Sequence, residues 1–588
     1  MGRLDSSLFP PHVLREYALL ADGERGCLVG PRGDVAWMCA PKWHDDAVFA
    51  SLLGVPSAYA VTPAHGRYVW GGRYEDGSMI WRSRWVTSDG VIECREALSF
   101  PGDPDTAVLL RRLLATSGPA RVRVLLAPRA EFGRFGLSRL RQSDGVWTGR
   151  TGSLHVRWSG AGKARPLGDG VLELDVDVPE GAHHDLVLEL STRPWEGPAP
   201  DADVAWESTE HAWSCAVPRM DVTIAADDAR QSAAVLRGMT SSTGAMVAAA
   251  TMALPERAAE GRSYDYRYAW VRDQCLAGQA MAACEGLSLV DSAVRFVSER
   301  VLADGDQLAP AYTVTGGQVP EERALHVPGY PGGRSIVGNW VRGQFQLDTF
   351  GEVLLLLAAA AGHDRLDVDH WKAAETTVTA IRRRWKRPDS GIWELNPEHW
   401  AHSRLMCAAG LRAIGRHAPT RQGADWSSLA DAMVADAARD CLHPTGRWQR
   451  SPSDERVDAS LLVPGIRGAV PASDPRTVGT VEAVRRELGS HGYLYRFRQD
   501  ARPLGEAEGA FLLCGFQMAM ALHQQGGHTE AMRWFERNRA ACGAPGLFTE
   551  EYDVEQRQLR GNFPQAFVHA LLIESATRLA GPSAMPMT

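Results

Sequence analysis

Apolar and polar positions follow two different periods along the chain. Up to about residue 220 the apolar residues fall in short runs, among them DVAWMC (34–39), RYVW (67–70), MIWRSRW (79–85), RVRVLL (121–126), VLELDV (171–176) and LVLEL (186–190). Several of these alternate apolar with polar residues, which places every second side chain on one face and marks a half-buried strand. Turn dipeptides such as Asp76-Gly77 and Asp89-Gly90 separate the runs. The pattern predicts an antiparallel β-sandwich over residues 1–222.

Past Pro194-Trp195-Glu196 and the Gly197-Pro-Ala-Pro200 stretch the alternation ends, and from about residue 226 apolar positions recur every three or four residues. That period predicts helices over 226–237, 269–284, 288–302, 340–361, 368–385, 402–414, 426–441, 478–488, 510–523, 530–537 and 565–579. Long helices joined by substantial loops suit helical hairpins closed into a ring. An α-solenoid would give a similar series, but no fixed-period self-similarity is present, and several loops are rich in Gly, Pro and aromatic residues, where functional sites concentrate. We divide the chain into a sandwich (1–222), a helical linker (223–245) and a helical ring (246–588).

Composition narrows the function classes. A chain of 588 residues exceeds what one hydrophobic core organises, and with 45% hydrophobic and 23% charged residues both parts are expected to be folded. The formal net charge of -8, with no long Lys/Arg run, argues against nucleic acid or anionic lipid as a partner. The ten cysteines are scattered without a C-x-x-C pair, and most sit beside apolar residues, as buried thiols do. The amino-terminal stretch shows no leader pattern, and no segment reaches the roughly eighteen apolar residues that cross a bilayer. A cytoplasmic protein is therefore expected, with export by a route that leaves no local signal still open, and homo-oligomerisation open as well.

Three clusters carry candidate chemistry. SYDYRYAWVRD (263–273) sets two acids, two arginines, three tyrosines and a tryptophan just before an apolar helix. Buried without a ligand, so many polar groups would be costly. Aromatic faces beside Arg and Asp suit a sugar ring, which stacks on an aromatic and hydrogen-bonds through its hydroxyls. The competing explanation is an internal ion-pair network, Asp273 with Arg272 or Arg267. In SGIWE (390–394), a carboxyl directly after Trp393 is suited to keep a proton for a leaving oxygen, although a Glu in a turn is also often simply solvated. In GLFTEEYD (546–553), adjacent acids between aromatics suit a base that holds a water. Only one of Glu550 and Glu551 is expected to face a site, since neighbours in an extended segment point oppositely. Pairing with Arg557 and Arg560 is the alternative there.

Together and in this order, the clusters resemble glycoside hydrolase family 15, the glucoamylase and trehalase family. The resemblance also runs through YALLADG (17–23), VAWMCAP (35–41), MALPE (252–256), the stretch from Glu321 to Asn339, QLDTFGE (346–352), DASLL (458–462), EGAFLLC (508–514) and GNFPQAF (561–567), and so covers nearly the whole chain. It implies a β-sandwich followed by an (α/α)6 barrel, with the site in loops at the barrel's wide end. It further implies Glu394 as general acid and Glu550 as general base, with Arg272 and Asp273 holding the non-reducing glucose, Arg496 as a further sugar-binding group and Trp393 as the neighbouring aromatic. Tyr266, Trp340 and Glu508 complete the expected substrate-binding set. No metal and no organic cofactor is implied. The reaction is a single displacement with inversion, for which the two carboxyls are expected to stand roughly 6.5–9.5 Å apart.

Three places depart from the family pattern: Leu395-Asn396 after the acid, on the acceptor side; Trp340 where a small residue is usual, which would narrow the pocket or stack on a second sugar; and Met406-Cys407-Ala-Ala-Gly without the usual tryptophan and acid, which suggests altered specificity. The leading expectation is exo-acting release of β-glucose from α-1,4- or α-1,6-linked gluco-oligosaccharides. The alternative is an α,α-trehalase, and the contrast from another class is a catalytically silent sugar-binding protein.

Overall fold

The computed structural model describes residues 6–258 and 261–581. The first five residues of the amino-terminal stretch considered above lie outside the described residues.

Alternating side chains give antiparallel strands stacked in two layers. One layer is an eight-stranded sheet, ordered in space Ser138–Ser143, Val146–Thr151, Leu154–Ser159, His183–Ser191, Thr106–Ser117, Val91–Leu98, Trp81–Val86, Val69–Tyr74. Facing it are two four-stranded sheets, one of Ala18–Ala21, Gly26–Val29, Val35–Cys39 and Ala47–Phe49, the other of Arg165–Gly168, Val171–Val178, Ala120–Ala127 and Ala58–Pro63. Leu20, Met38, Tyr59 and Val124 from these two sheets meet Trp81, Trp85, Leu109 and Leu188 from the large one in a single core.

The first small sheet departs from the half-buried expectation. All five residues of Val35–Cys39 are buried, because the helical part covers the face turned away from the sandwich. Leu19, Leu28, Trp37 and Ala47 on that face share a core with the helices, and the Trp37 indole N–H donates to the Ala250 carbonyl at 2.9 Å.

A helix that alternation did not reveal, α1 (Ala202–Ala216), follows the last strand. The Asp201 side chain caps it by accepting from Val204 N. Its buried Trp213 stacks on Phe100 at a centroid separation of 3.9 Å, fixing the helix to the sandwich.

Twelve further helices form two concentric rings. They are α2 (Ala226–Gly238), α3 (Val271–Ala283), α4 (Leu287–Asp304), α5 (Leu347–Ala361), α6 (Val368–Arg384), α7 (Ala401–Gly415), α8 (Thr420–Asp440), α9 (Val463–Ile466), α10 (Pro475–Leu488), α11 (Leu512–Gln524), α12 (His528–Arg539) and α13 (Ala566–Ala580). The odd-numbered helices pack in the order α3, α5, α7, α9, α11, α13, and α13 returns to α3, while the even-numbered ones pack outside them. This is an (α/α)6 barrel. Burial follows the arrangement: nearly every side chain of α5 and α7 is buried, whereas α6 buries one stripe, from Ala373 and Ala374 through Thr377 and Val378 to Ile381. α5 and α7 approach closely at Gly351 and Gly410, where a Cβ on Gly410 would stand 2.5 Å from the Gly351 carbonyl oxygen.

The inner helices begin at one end of the barrel. Deeper in, roughly two turns below those starts, their side chains pair: Gln279 of α3 donates to Glu352 of α5 at 2.8 Å, and Glu574 of α13 accepts from Arg467, just after α9, at 2.8 Å. Three predicted helices start later than their apolar period suggests: the one expected from Ala269 begins at Val271, after Ala269 and Trp270 pair with Tyr312 and Ala311. Trp340–Gly343 is a separate 3-10 turn capped by Asn339, and α5 begins only at Leu347, whose N–H donates to Asp389 at 3.1 Å. Ala510 and Phe511 instead pair with the strand Glu551–Asp553. Among the described residues, no helix is long and apolar enough to cross a membrane.

Candidate active site

A cavity of about 400 Å³ opens where the inner helices begin. Arg272 and Asp273 reach it from the first turn of α3, Leu513 from α11 and Phe567 from α13, and loops supply Trp340, Glu394, Arg496 and Glu550. The start of a helix carries partial positive charge, so several helix starts facing one cavity favour the carboxylates gathered there.

Glu394 projects from a loop held on several sides. Asp389 Oδ2 accepts from Leu347 N at 3.1 Å and from Gly391 N and Ser403 Oγ at 2.9 Å. Arg272 Nη1 donates to the Ile392 carbonyl at 2.9 Å. Glu394 itself has φ +57°, a left-handed backbone that only a strongly anchored loop imposes on a side-chain-bearing residue. Its carboxyl accepts from Trp270 Nε1 at 3.0 Å, with Arg272 Nη2 4.0 Å away. The donor is therefore Trp270, while Trp393 directs its indole N–H to Asp458 at 2.8 Å and packs its ring edge-on to Phe511.

Glu550 and Glu551 diverge as an extended segment requires. Glu550 lines the cavity, and Tyr266 Oη donates to it at 3.4 Å. Glu551 turns away into the protein, where it accepts from Gly509 N at 2.8 Å and lies 3.3 Å from Arg262 and 3.6 Å from Arg496. Arg560 pairs instead with Asp553. Burial and the nearby Glu256 carboxyl push the Glu550 carboxyl well above the ordinary range, with Arg496 pulling the other way. The same two causes lift Glu551 to about 8.

Arg272 and Asp273 are neighbours, Nε to Oδ1 3.3 Å, while Arg267 pairs with Asp265. Of the two ion pairs expected as an alternative, the one with Arg272 is present and the one with Arg267 is not; Asp273 Oδ1 is buried beside Arg272 and makes no hydrogen bond of good geometry among the described residues. Burial lifts its carboxyl to about 6 against the pull of Arg272. A buried carboxyl that lines a cavity and whose ion pair leaves hydrogen-bonding capacity unused is suited to ligand hydroxyls.

Of the nine residues singled out in the sequence, Glu508 alone does not line the cavity. It lies behind Arg496, accepting from its Nη2 at 2.6 Å and holding the guanidinium, which also lies 4.6 Å from the Phe511 ring centroid. Trp340 is half exposed at the cavity wall and Leu395 lines it, whereas Met406 and Cys407 are buried in the core outside it. Trp270, Glu256 and Arg262 also line the cavity and were not singled out. Trp270 and Arg262 lie in or beside the first cluster and Glu256 ends MALPE, but their partners are distant in sequence.

The acids of the cavity stand among guanidinium groups. The one His–Asp–Asp group within metal-ligand reach among the described residues, His183 with Asp185 and Asp203, is not part of the cavity lining. Chemically, two carboxyls lining one cavity can give a proton to one atom of a bound molecule and take one from a water beside it.

Comparison with known proteins bears on the family and the fold. Residues 229–577 match the model for glycosyl hydrolases family 15, and residues 10–191 match that for a trehalase-like amino-terminal domain. A trehalase of Mycobacterium tuberculosis is 28% identical, over 97% of this chain and 90% of its own length. A trehalase of Mycolicibacterium smegmatis is also 28% identical, over 97% and 91%. One from Thermoplasma acidophilum is 31% identical over 57% of this chain and 59% of its own. Among solved structures, a bacterial glucoamylase complexed with acarbose superposes with a TM-score of 0.70 at 12% identity, covering 99% of this chain and 96% of that one, a likeness of fold.

Proposed function

Since the chain belongs to glycosyl hydrolases family 15, and is a glycoside hydrolase acting on a sugar substrate, we propose that it is an inverting α,α-trehalase. The observation that carries this reading is that Glu394 and Glu550, far apart in sequence, line one small cavity together with the Arg272–Asp273 pair. Glu394 protonates the glycosidic oxygen. Glu550 draws a proton from a water on the opposite ring face, and the anomeric centre inverts. A buried carboxylate with raised proton affinity is the stronger base once ionised. Asp273 accepts from hydroxyls of the glucose being cleaved, and Arg272 donates to them.

Trehalose rather than a longer gluco-oligosaccharide is supported by the relatives that align over nearly their whole length, which are trehalases, and by the matched amino-terminal domain. This favours the alternative over the leading expectation from the sequence. A cavity of about 400 Å³ lies at the small end of ligand sites and suits a disaccharide. A silent sugar-binding protein would not need to keep both carboxyls. Ten unpaired cysteines support a cytoplasmic location.

The test is glucose release from trehalose, maltose, isomaltose, kojibiose, nigerose and longer dextrins, with proton NMR of the first-formed product. Inversion of trehalose yields equal α- and β-glucose, one from each ring. α-Glucose alone would remove the single displacement, and maltose or dextrin as the preferred substrate would remove the trehalase reading.

A further inference from the structure

Each inverting turnover leaves the base protonated and the acid without its proton, so both must be reset before the next. Glu550 is 7% exposed, which leaves its proton little direct access to water. Its hydrogen-bond donor Tyr266 stands between two carboxyls: the hydroxyl is 3.4 Å from Glu550 Oε2 and 3.5 Å from Glu256 Oε1. Glu256 follows the strand Met252–Pro255 and is 4% exposed. It belongs to the wall of the catalytic cavity and also to that of a second cavity of about 210 Å³, bounded by Arg257, Gly509, Asp553, Gln556 and Arg560. Its other oxygen, Oε2, is 2.7 Å from Arg262 Nη2, which fixes the carboxyl with Oε1 toward Tyr266.

We infer that Glu256 is the proton outlet of the base, taking through the Tyr266 hydroxyl the proton that Glu550 removes from water and releasing it into the second cavity. The inference rests on Glu550 being the base. In the step, the Glu550 O–H bond breaks as the Tyr266 oxygen accepts that proton. The Tyr266 O–H passes its own proton to Glu256 Oε1, and Glu256 then loses a proton to water. One proton leaves, the tyrosine returns neutral, and no electrons are exchanged. Glu256 acts through Glu550 and is a positioning residue rather than a catalytic one.

The test is stopped-flow and steady-state hydrolysis of trehalose by Glu256→Gln, in H2O and D2O. Slowing a step after bond cleavage lowers kcat about tenfold and lowers KM with it, so that kcat/KM is nearly unchanged, raises the solvent isotope effect on kcat and produces a burst of about one equivalent of product per enzyme. Glu256→Asp recovers part of kcat, and Tyr266→Phe combined with Glu256→Gln is no slower than the slower single variant, because both interrupt one path. Unchanged kcat without a burst in Glu256→Gln, or a kcat/KM that falls as far as kcat, overturns the inference, as do independent losses in the double variant. Glu550→Gln separates the two readings: if it stays active the base assignment falls, and if it is inactive while Glu256→Gln turns over normally only the outlet falls.

Discussion

Trp270 Nε1 donates to Glu394 Oε1 at 3.0 Å, joining two residues 124 positions apart. This bond aims the carboxyl, since the left-handed backbone at Glu394 fixes only where its side chain starts. Trp270→Phe keeps the ring edge-on to Tyr266 and removes the donor. Its kcat on trehalose falls about 10- to 100-fold, with a smaller change in KM, as expected when orientation rather than binding is lost. Steady-state kinetics on the purified variant check this.

Asp273 gives a pH dependence of binding. Burial raises its carboxyl to about 6, so it takes up a proton as pH falls through that value and loses its capacity to accept from two hydroxyls at once. Affinity for trehalose weakens below pH 6, and Asp273→Asn flattens the dependence while weakening binding at every pH. Calorimetric titration of Glu394→Gln, which binds without turnover, measures the effect on either side of pH 6.

Glu574 ties the deep part of the barrel. Burial alone would raise its carboxyl, but Arg467 and Arg578 hold it down at about 2 from an ordinary 4.5. A lowered carboxyl stabilises the fold fully above 4.5, and this stabilisation is lost as pH falls toward 2. Glu574→Gln leaves Arg467 buried without its partner, a loss of about 3–5 kcal/mol at neutral pH. Thermal melts show a large drop in Tm at pH 7, and the gap to wild type narrows as pH falls from 4.5 toward 2.

Trp340 is 49% exposed at the cavity wall, so its removal costs the fold little. Trp340→Ala raises KM for trehalose several-fold, the loss of one aromatic contact of about 1 kcal/mol, and leaves Tm nearly unchanged. Parallel kinetics and melts separate the two effects.

The layers of the fold are legible because burial is one-sided: a strand or outer helix with one covered face prints its period on the sequence. Where burial is two-sided or an element is short, the print fades. The strand Val35–Cys39 is legible as an apolar run but not its burial on both faces, and α9 (Val463–Ile466) is a single turn with no period to show. The helix α1 carries a sparse stripe, Trp206, Thr209 and Trp213, that a helical period would have caught together with the Asp201 cap. At the candidate site, eight of the nine residues marked in the sequence line one cavity, while Glu508 stands behind Arg496. Trp270 and Glu256 meet partners brought up only by folding: Tyr266, which stands between Glu256 and Glu550, meets Glu550 across 284 positions.

The sheet of Ala18–Ala21, Gly26–Val29, Val35–Cys39 and Ala47–Phe49 is shared property of two interiors, with Leu20 and Met38 serving one and Leu19 and Trp37 the other. Neither interior can be emptied without opening its neighbour to water, so calorimetry shows both parts melting in one event. A barrel expressed without these strands is left with a bare apolar flank and precipitates.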